Sequence, residues 1–196
     1  ASAVIGFSDF TMLLGHAYQQ GLCAVHSWMP IQLPTSTSKS VDSLADLLRG
    51  RPHVLRAPAH QLQRSGQAEG PLVGGNLSVL YSMLGSPSFP NLQGCILALE
   101  DLDEYRYHLD RMFWGLRRAG VLQGLAGVVV GSFSDMKDNA LPFGKEPLEI
   151  VSEALPGAVP LAMGMPFGHE SANEAFITGY RYRLVVDSAG GHLSPL

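Results

Sequence analysis

The chain of 196 residues carries 46% apolar but only 15% charged side chains, with a formal net charge of −4. The charged share lies well below the roughly 25% of an average domain, which excludes disorder and suits one large domain or two small ones. No basic stripe marks a nucleic-acid or anionic-membrane partner, and no apolar run approaches the ~20 residues of a membrane span. The two cysteines, Cys23 and Cys95, cannot make a disulfide framework, and a reducing compartment is the simpler setting. The first residues lack the basic region and cleavage site of a secretory leader.

Residues 3–6 read as a short buried strand. Ser8 follows at an N-cap position, with Asp9 in the first turn, where its charge suits the helix dipole. Phe10, Leu13, Leu14 and Ala17 recur at i, i+3, i+4 and i+7 and predict an amphipathic helix that Gly21 ends. Residues 22–26 (LCAVH) form a second apolar strand. This spacing predicts a βαβ unit within a parallel sheet of more than two strands, one that looks cut short because no earlier unit precedes it. Residues 27–40, with Pro30, Pro34 and a Thr/Ser run, read as a linker. A helix is predicted over 41–49, with Leu44, Leu47 and Leu48 on one face and Gly50 as its stop. Short strands broken by Pro and Gly fill 53–73. Gly74-Gly75-Asn76 reads as a tight turn whose Asn76 caps a helix through Leu77, Leu80, Tyr81 and Leu84, an anion nest being the alternative.

Residues 95–100 (CILALE) form a strand that ends on a carboxylate. Asp103 opens a long helix bearing Tyr105, Leu109, Met112, Phe113 and Leu116. Residues 127–133 (GVVVGSF) are a buried strand, 147–155 a helix with Pro147 at its first position, and 159–163 another strand. The chain closes on a hairpin, 180–186 and 192–193, around Ala189-Gly190-Gly191.

Several chemistries fail on spacing. His169-Glu170-Ser171-Ala172-Asn173 nearly matches the zinc-protease pattern H-E-x-x-H, but Asn173 replaces the second imidazole, so no metal site is expected. Neither the P-loop nor the dinucleotide glycine pattern is present, and no cofactor is expected. Gly6-Phe7-Ser8-Asp9-Phe10 resembles a nucleophile elbow, G-x-S-x-G, in the right strand-to-helix context. Phe10 stands where the second glycine should relieve crowding, so Ser8 reads as a helix cap, with the nucleophile role as the alternative. Cys23 and Cys95 read as inert packing thiols inside strands. Two carriers of acid–base chemistry remain. Glu100, at the carboxyl end of a buried strand, occupies a position where α/β proteins place site residues, or is a charge at a helix start. His169, in a loop after a strand, is either the base of a Ser-His-acid triad oriented by that carboxylate or a surface histidine.

Taken together, Ile5-Gly6-Phe7-Ser8-Asp9-Phe10-Thr11, Gly74-Gly75-Asn76-Leu77, Ile96-Leu97-Ala98-Leu99-Glu100-Asp101 with Tyr107, Asp110 and Arg111, Gly131-Ser132-Phe133, and Pro166-Phe167-Gly168-His169 with Asn173 resemble the LD-carboxypeptidase family. This is the serine peptidase group of muramoyltetrapeptide carboxypeptidases and microcin C immunity proteins. The blocks follow family order across nearly the whole chain. The resemblance implies an α/β protein: a swivelling β/β/α-type C-terminal domain preceded by a βαβ remnant of a flavodoxin-like or class I glutamine-amidotransferase-like domain. On that reading residues 1–30 end the N-terminal nucleophile domain, 31–60 form the linker and junction, and 61–196 form the C-terminal catalytic domain. It also implies Glu100 and His169 as two members of a Ser-His-Glu triad. The family serine and its oxyanion glycines are expected in a Gly-Gly-Tyr-Gly-Ser-like motif upstream of residue 1, Ser2 having nothing glycine-rich before it. The chain alone is then expected to be inactive.

The implied activity is cytoplasmic removal of a terminal D-amino acid from murein tetrapeptides, by hydrolysis of the L,D-peptide bond. A microcin-type peptidyl nucleotide is the alternative substrate, and a non-catalytic murein-peptide-binding module the alternative class. The expected partner is the murein peptide, with no nucleic acid and no membrane, and the resemblance allows a homodimer. Two departures stand out: His26-Ser27-Trp28 replaces the family's His-Gly-Pro, and Leu102-Asp103-Glu104-Tyr105 replaces a turn that usually contains Gly-Glu.

Overall fold

The computed structural model describes residues 4–196. Residues 1–3, which include Ser2 and the first residue of the expected opening strand, lie outside the described residues. The predicted βαβ unit forms: β1 (Ile5–Gly6), a 3₁₀ turn (Ser8–Phe10), α1 (Thr11–Gln19) and β2 (Ala24–His26), with Ile5 parallel to and opposite Val25. Leu14 is buried on α1, whereas Leu13, predicted for the same face, points outward. Cys23 precedes β2 and is exposed, contrary to its reading as a strand residue, while Cys95 is buried as expected.

The chain continues through a 3₁₀ turn (Pro30–Gln32), α2 (Ser38–Leu48), β3 (Leu55–Pro58), β4 (Gly66–Asn76), α3 (Leu77–Ser82), β5 (Ile96–Leu102), α4 (Arg106–Arg118), β6 (Gly127–Ser134), α5 (Pro147–Ala154), β7 (Leu161–Met163), β8 (Phe176–Thr178), β9 (Arg181–Asp187) and β10 (Gly190–Pro195). α2 starts earlier than its leucines suggest, because the Thr37 hydroxyl accepts the Ser40 N–H at 3.1 Å and caps it. α4 starts later than expected: Asp103 takes a left-handed φ of 60°, and Tyr105 still bridges to Lys137 before the helix begins.

Two sheets result. The larger has the order β3-β10-β9-β4-β5-β6-β7, parallel from β4 to β7 and antiparallel beyond. Alternation along β5 divides its core. Leu97 and Leu99 pack under α3, α4 and α5 with Leu109, Phe113 and Val151. Ile96 and Ala98 face the other way, where Leu55, Leu184 and Leu193 of the antiparallel half pack over them. The smaller sheet has the order β1-β2-β8, and β8 runs antiparallel to β2 with Phe176 opposite His26. A strand from late in the chain therefore completes the N-terminal sheet, which the sequence pattern did not anticipate.

Gly74-Gly75-Asn76 is not a tight turn but the end of β4, paired in register with Ala98, Leu99 and Glu100. Its glycines serve close approach. A Cβ on Gly74, at φ 127°, would overlap the Ala98 carbonyl, and one on Gly75 would lie 2.5 Å from the Thr11 hydroxyl. Asn76 does cap α3, accepting the Val79 N–H at 3.1 Å. Gly74→Ala should therefore cost on the order of 3 kcal/mol or prevent folding, because backbone must move to admit the methyl. Urea unfolding of the variant checks this, and a loss below about 1 kcal/mol would show that the strand end yields easily.

Candidate active site

Three side chains converge where the two sheets meet. Glu100 lies near the carboxyl end of β5 on the same face as Ile96 and Ala98, and is fully buried. His169 stands in the loop after β7 with its side chain 12% exposed, and its Nδ1 lies 2.7 Å from Glu100 Oε2. Its Nε2 lies 3.0 Å from the Ser8 hydroxyl. The Glu100 carboxylate can only accept, so Nδ1 carries the imidazole proton and Nε2 presents its lone pair to Ser8. A hydroxyl, an imidazole and a buried carboxylate are thus joined in series, the geometry by which a base activates a nucleophile and a third group orients the base.

Ser8 is no helix cap. Phe7 occupies the N-cap position with extended backbone, and no side chain among the described residues caps the turn. Ser8 instead begins the 3₁₀ turn with a left-handed φ of 60°, a conformation that L-residues rarely adopt and that recurs at functional sites. The sharp reversal drives the Phe10 ring back onto Gly6, where a Cβ would lie 2.5 Å from Phe10 Cγ. The relief expected from a glycine at position 10 is supplied by the glycine at position 6. The sequence pointed to a serine before residue 1, yet the hydroxyl that His169 holds is that of Ser8.

Polar supports surround this line. Asp101 accepts the Asn76 side-chain amide at 2.9 Å and the Ser78 N–H at 3.0 Å, while the Thr11 hydroxyl accepts the Asn76 N–H at 2.9 Å. Burial pushes the Asp101 carboxyl up to about 6, against the downward pull of the Leu102 and Asn76 donors. Glu174, just beyond the His169 loop, pairs with Lys39 at 2.7 Å and His53 at 3.0 Å. Burial pushes its carboxyl up, but the hydrogen bonds from His53 and Lys39 outweigh that and hold it below the usual range. A cavity of about 400 Å³ lies beside the loop, lined by Ser132, Phe133, Leu148, Pro166, Phe167 and Glu170 among others. Among the described residues, no three His, Cys, Asp or Glu side chains gather to hold a metal ion. No helix among them is long and apolar enough to cross a membrane.

Residues 69–184 match the family model for the LD-carboxypeptidase C-terminal domain, more than half of the chain. The chain belongs to the LD-carboxypeptidase family. It is 34% identical over 189 residues to the murein tetrapeptide carboxypeptidase of Pseudomonas aeruginosa, covering 90% of this chain and 60% of that one. A protein of Synechocystis is 31% identical over 192 residues, covering 97% of this chain and 62% of its own length. The chain thus spans about three fifths of the length of these curated relatives. Among solved structures, the muramoyltetrapeptide carboxypeptidase of Oxalobacter formigenes superposes with a TM-score of 0.88 at 25% identity, covering 99% of this chain and 68% of that one. The microcin C7 self-immunity protein MccF shares the fold, with a TM-score of 0.81 at 20% identity over 100% of this chain and 68% of its own.

The sequence places His26 in the second strand and at the His26-Ser27-Trp28 departure from the family pattern, but gives it no role beside His169. His26, at the end of β2, is fully buried near His169, stacked on Phe176 at 4.4 Å and edge-on to Phe7 and Phe167. Among the described residues, neither ring nitrogen has a hydrogen-bond partner. Burial, with the neighbouring His169 adding to it, drives the imidazole down to about 3. A base lowered from 6.5 binds protons more readily when unfolded, so its stabilising contribution is complete above 6.5 and is lost as pH falls toward 3. His26→Phe should keep the aromatic packing and lose this acid-labile contribution. Unfolding free energies measured from pH 7 to pH 4 should fall less steeply for the variant than for the parent. Parallel curves would show that His26 is not held neutral.

Proposed function

We propose that the protein is a serine LD-carboxypeptidase, with Ser8 as nucleophile, His169 as general base and acid, and Glu100 as the group that orients the imidazole. The observation that carries this reading is the continuous contact from Ser8 Oγ through both ring nitrogens of His169 to Glu100, built on a serine in strained backbone. The substrate we propose is a murein tetrapeptide ending in a D-amino acid, by likeness to the Pseudomonas relative whose name carries that activity. The cavity beside the loop offers room for part of such a peptide. The proposed setting is murein turnover in the cytoplasm.

The chemistry follows from the tautomer. Ser8 Oγ attacks the carbonyl carbon of the L-configured residue while Nε2 of His169 takes the hydroxyl proton. Glu100 accepts from Nδ1 and stabilises the resulting imidazolium. The C–N bond then breaks as His169 returns that proton to the amine of the leaving D-amino acid, and Ser8 keeps the acyl group as an ester. Water attacks the ester, His169 takes its proton, and Ser8 Oγ leaves protonated. The backbone N–H that follows the nucleophile, that of Asp9, is the donor this turn offers to the developing oxyanion.

The test is release of D-alanine from a murein tetrapeptide by the full chain and by single variants. Ser8→Ala and His169→Ala should each lower kcat by about 10⁴-fold or more, and Glu100→Gln by a comparable factor through the wrong tautomer. An active parent that hydrolyses equally well after Ser8→Ala would sink the assignment of the nucleophile. Faster turnover of a peptidyl nucleotide than of the tetrapeptide would move the substrate class to the microcin type.

A further inference from the structure

From the path of β6, we infer that Ser132 is a positioning residue that fixes the height of His169 between Glu100 and Ser8. The inference rests on the triad reading above and adds a residue to it. β5 and β6 run in parallel register from Ile96 opposite Gly127 to Leu99 opposite Val130, and the register then shifts so that Asp101 lies opposite Phe133. Two residues of β6, Gly131 and Ser132, therefore face the single residue Glu100. This is a β-bulge, a device that re-aims a side chain, and it is rare between parallel strands.

Its effect can be read from the alternation. Val128 and Val130 point into the helix-covered core and Val129 into the opposite one. Without the extra residue, Ser132 would follow Val128 and Val130 under the helices, away from the triad. With it, Phe133 resumes the helix-facing phase and packs against that core. Ser132 is released toward the His169 loop, where its hydroxyl accepts the His169 N–H at 3.2 Å and its own N–H donates to the Phe167 carbonyl at 2.9 Å.

These two bonds flank Gly168. That residue has a φ of 125°, and a Cβ there would overlap the Ser132 hydroxyl and lie 3.3 Å from Glu100 Cβ and Oε2. The backbone of the loop is thus pressed onto Ser132 and Glu100 together. The Glu100 contact sets the orientation of the imidazole, and Ser132 sets where its backbone begins. Removing the hydroxyl frees the His169 N–H, which among the described residues donates to no other side chain.

The experiment compares the full chain with Ser132→Ala and Ser132→Cys, using tetrapeptide hydrolysis, thermal unfolding and the proton NMR signal of the His169 Nδ1–H. We expect kcat to fall about 10- to 100-fold in Ser132→Ala with KM within twofold, the loss typical of a small misplacement. We also expect the Nδ1–H signal to broaden or shift, with an unfolding temperature near that of the parent. If Ser132→Ala does not fold, the larger but weaker acceptor in Ser132→Cys should give an intermediate fall and the same spectral change. An unchanged Nδ1–H signal, or kcat within twofold of the parent in a folded variant, overturns the role of Ser132. A parent insensitive to His169→Ala overturns the triad reading instead, while the NMR comparison still decides whether Ser132 positions the ring.

Discussion

His169 is bound at both ring nitrogens by residues from different sheets, and this double attachment constrains the rest of the molecule. Ser8 rides on the small sheet and Glu100 on the large one, at 3.0 and 2.7 Å from the two nitrogens. A relative shift of the sheets by about 1 Å would break one bond or the other. What locks them is the aromatic group between them: Phe7 against His169, His26 stacked on Phe176, and Phe167 edge-on to both. β8 strengthens the lock by bringing Phe176 into the small sheet directly opposite His26.

The turn that carries Ser8 places its own demand on that lock. A non-glycine residue in left-handed backbone costs about 1–3 kcal/mol and persists only where its surroundings over-determine it. β1 is two residues long, so its ladder with β2 supplies little of this. The determination comes from Phe10 seated on Gly6 and from the Thr11 hydroxyl, which accepts the Asn76 N–H at the end of β4. The Asn76–Asp101 bond carries the tie to β5, one residue beyond Glu100. The strained serine and the buried carboxylate are therefore joined through two routes, one through His169 and one through Thr11, Asn76 and Asp101. The second route is built of neutral hydrogen bonds and a carboxyl pushed up to about 6, so it does not depend on an imidazole.

Much of this was legible in the sequence. The CILALE run, the periodicity of Leu109, Met112, Phe113 and Leu116, and the closing hairpin carry strong local patterns, and each became an element within a few residues of its predicted place. Glu100 and His169 stand out in the sequence as site candidates because strand ends in α/β sheets are where site residues collect, and the fold brings the two side chains to 2.7 Å. Ser8 reads as a helix cap in the sequence because the elbow pattern locates relief of crowding in a second glycine, whereas here Gly6 gives way to Phe10 across the turn and Phe7 holds the N-cap position. Gly74 and Gly75 were misread for a related reason: a glycine pair looks the same whether it turns the chain or lets two backbones touch. β8, only three residues long, has no pattern of its own, since its partner strand is supplied by the first part of the chain. The bulge opposite Glu100 is a property of pairing between two strands, which neither strand records alone.

The placement of Glu100 follows from the same alternation that builds the core. Ile96 and Ala98 lie on the face covered by the antiparallel half, and two residues further along that face is the carboxylate, fully buried. A buried carboxylate costs several kcal/mol unless it is paired, and one oxygen of this one, Oε1, has no hydrogen-bond partner among the described residues. The bond to His169 Nδ1 therefore bears most of the compensation, which favours the imidazole in one orientation and one tautomer over any other. Apolar packing around the pair strengthens that preference, because the interaction between a carboxylate and an imidazole grows as water is excluded. The periodic strand that supplies the core thus also supplies the electrostatic pressure that keeps Nε2 turned toward Ser8, and the bulged neighbour holds the loop where that pressure can act.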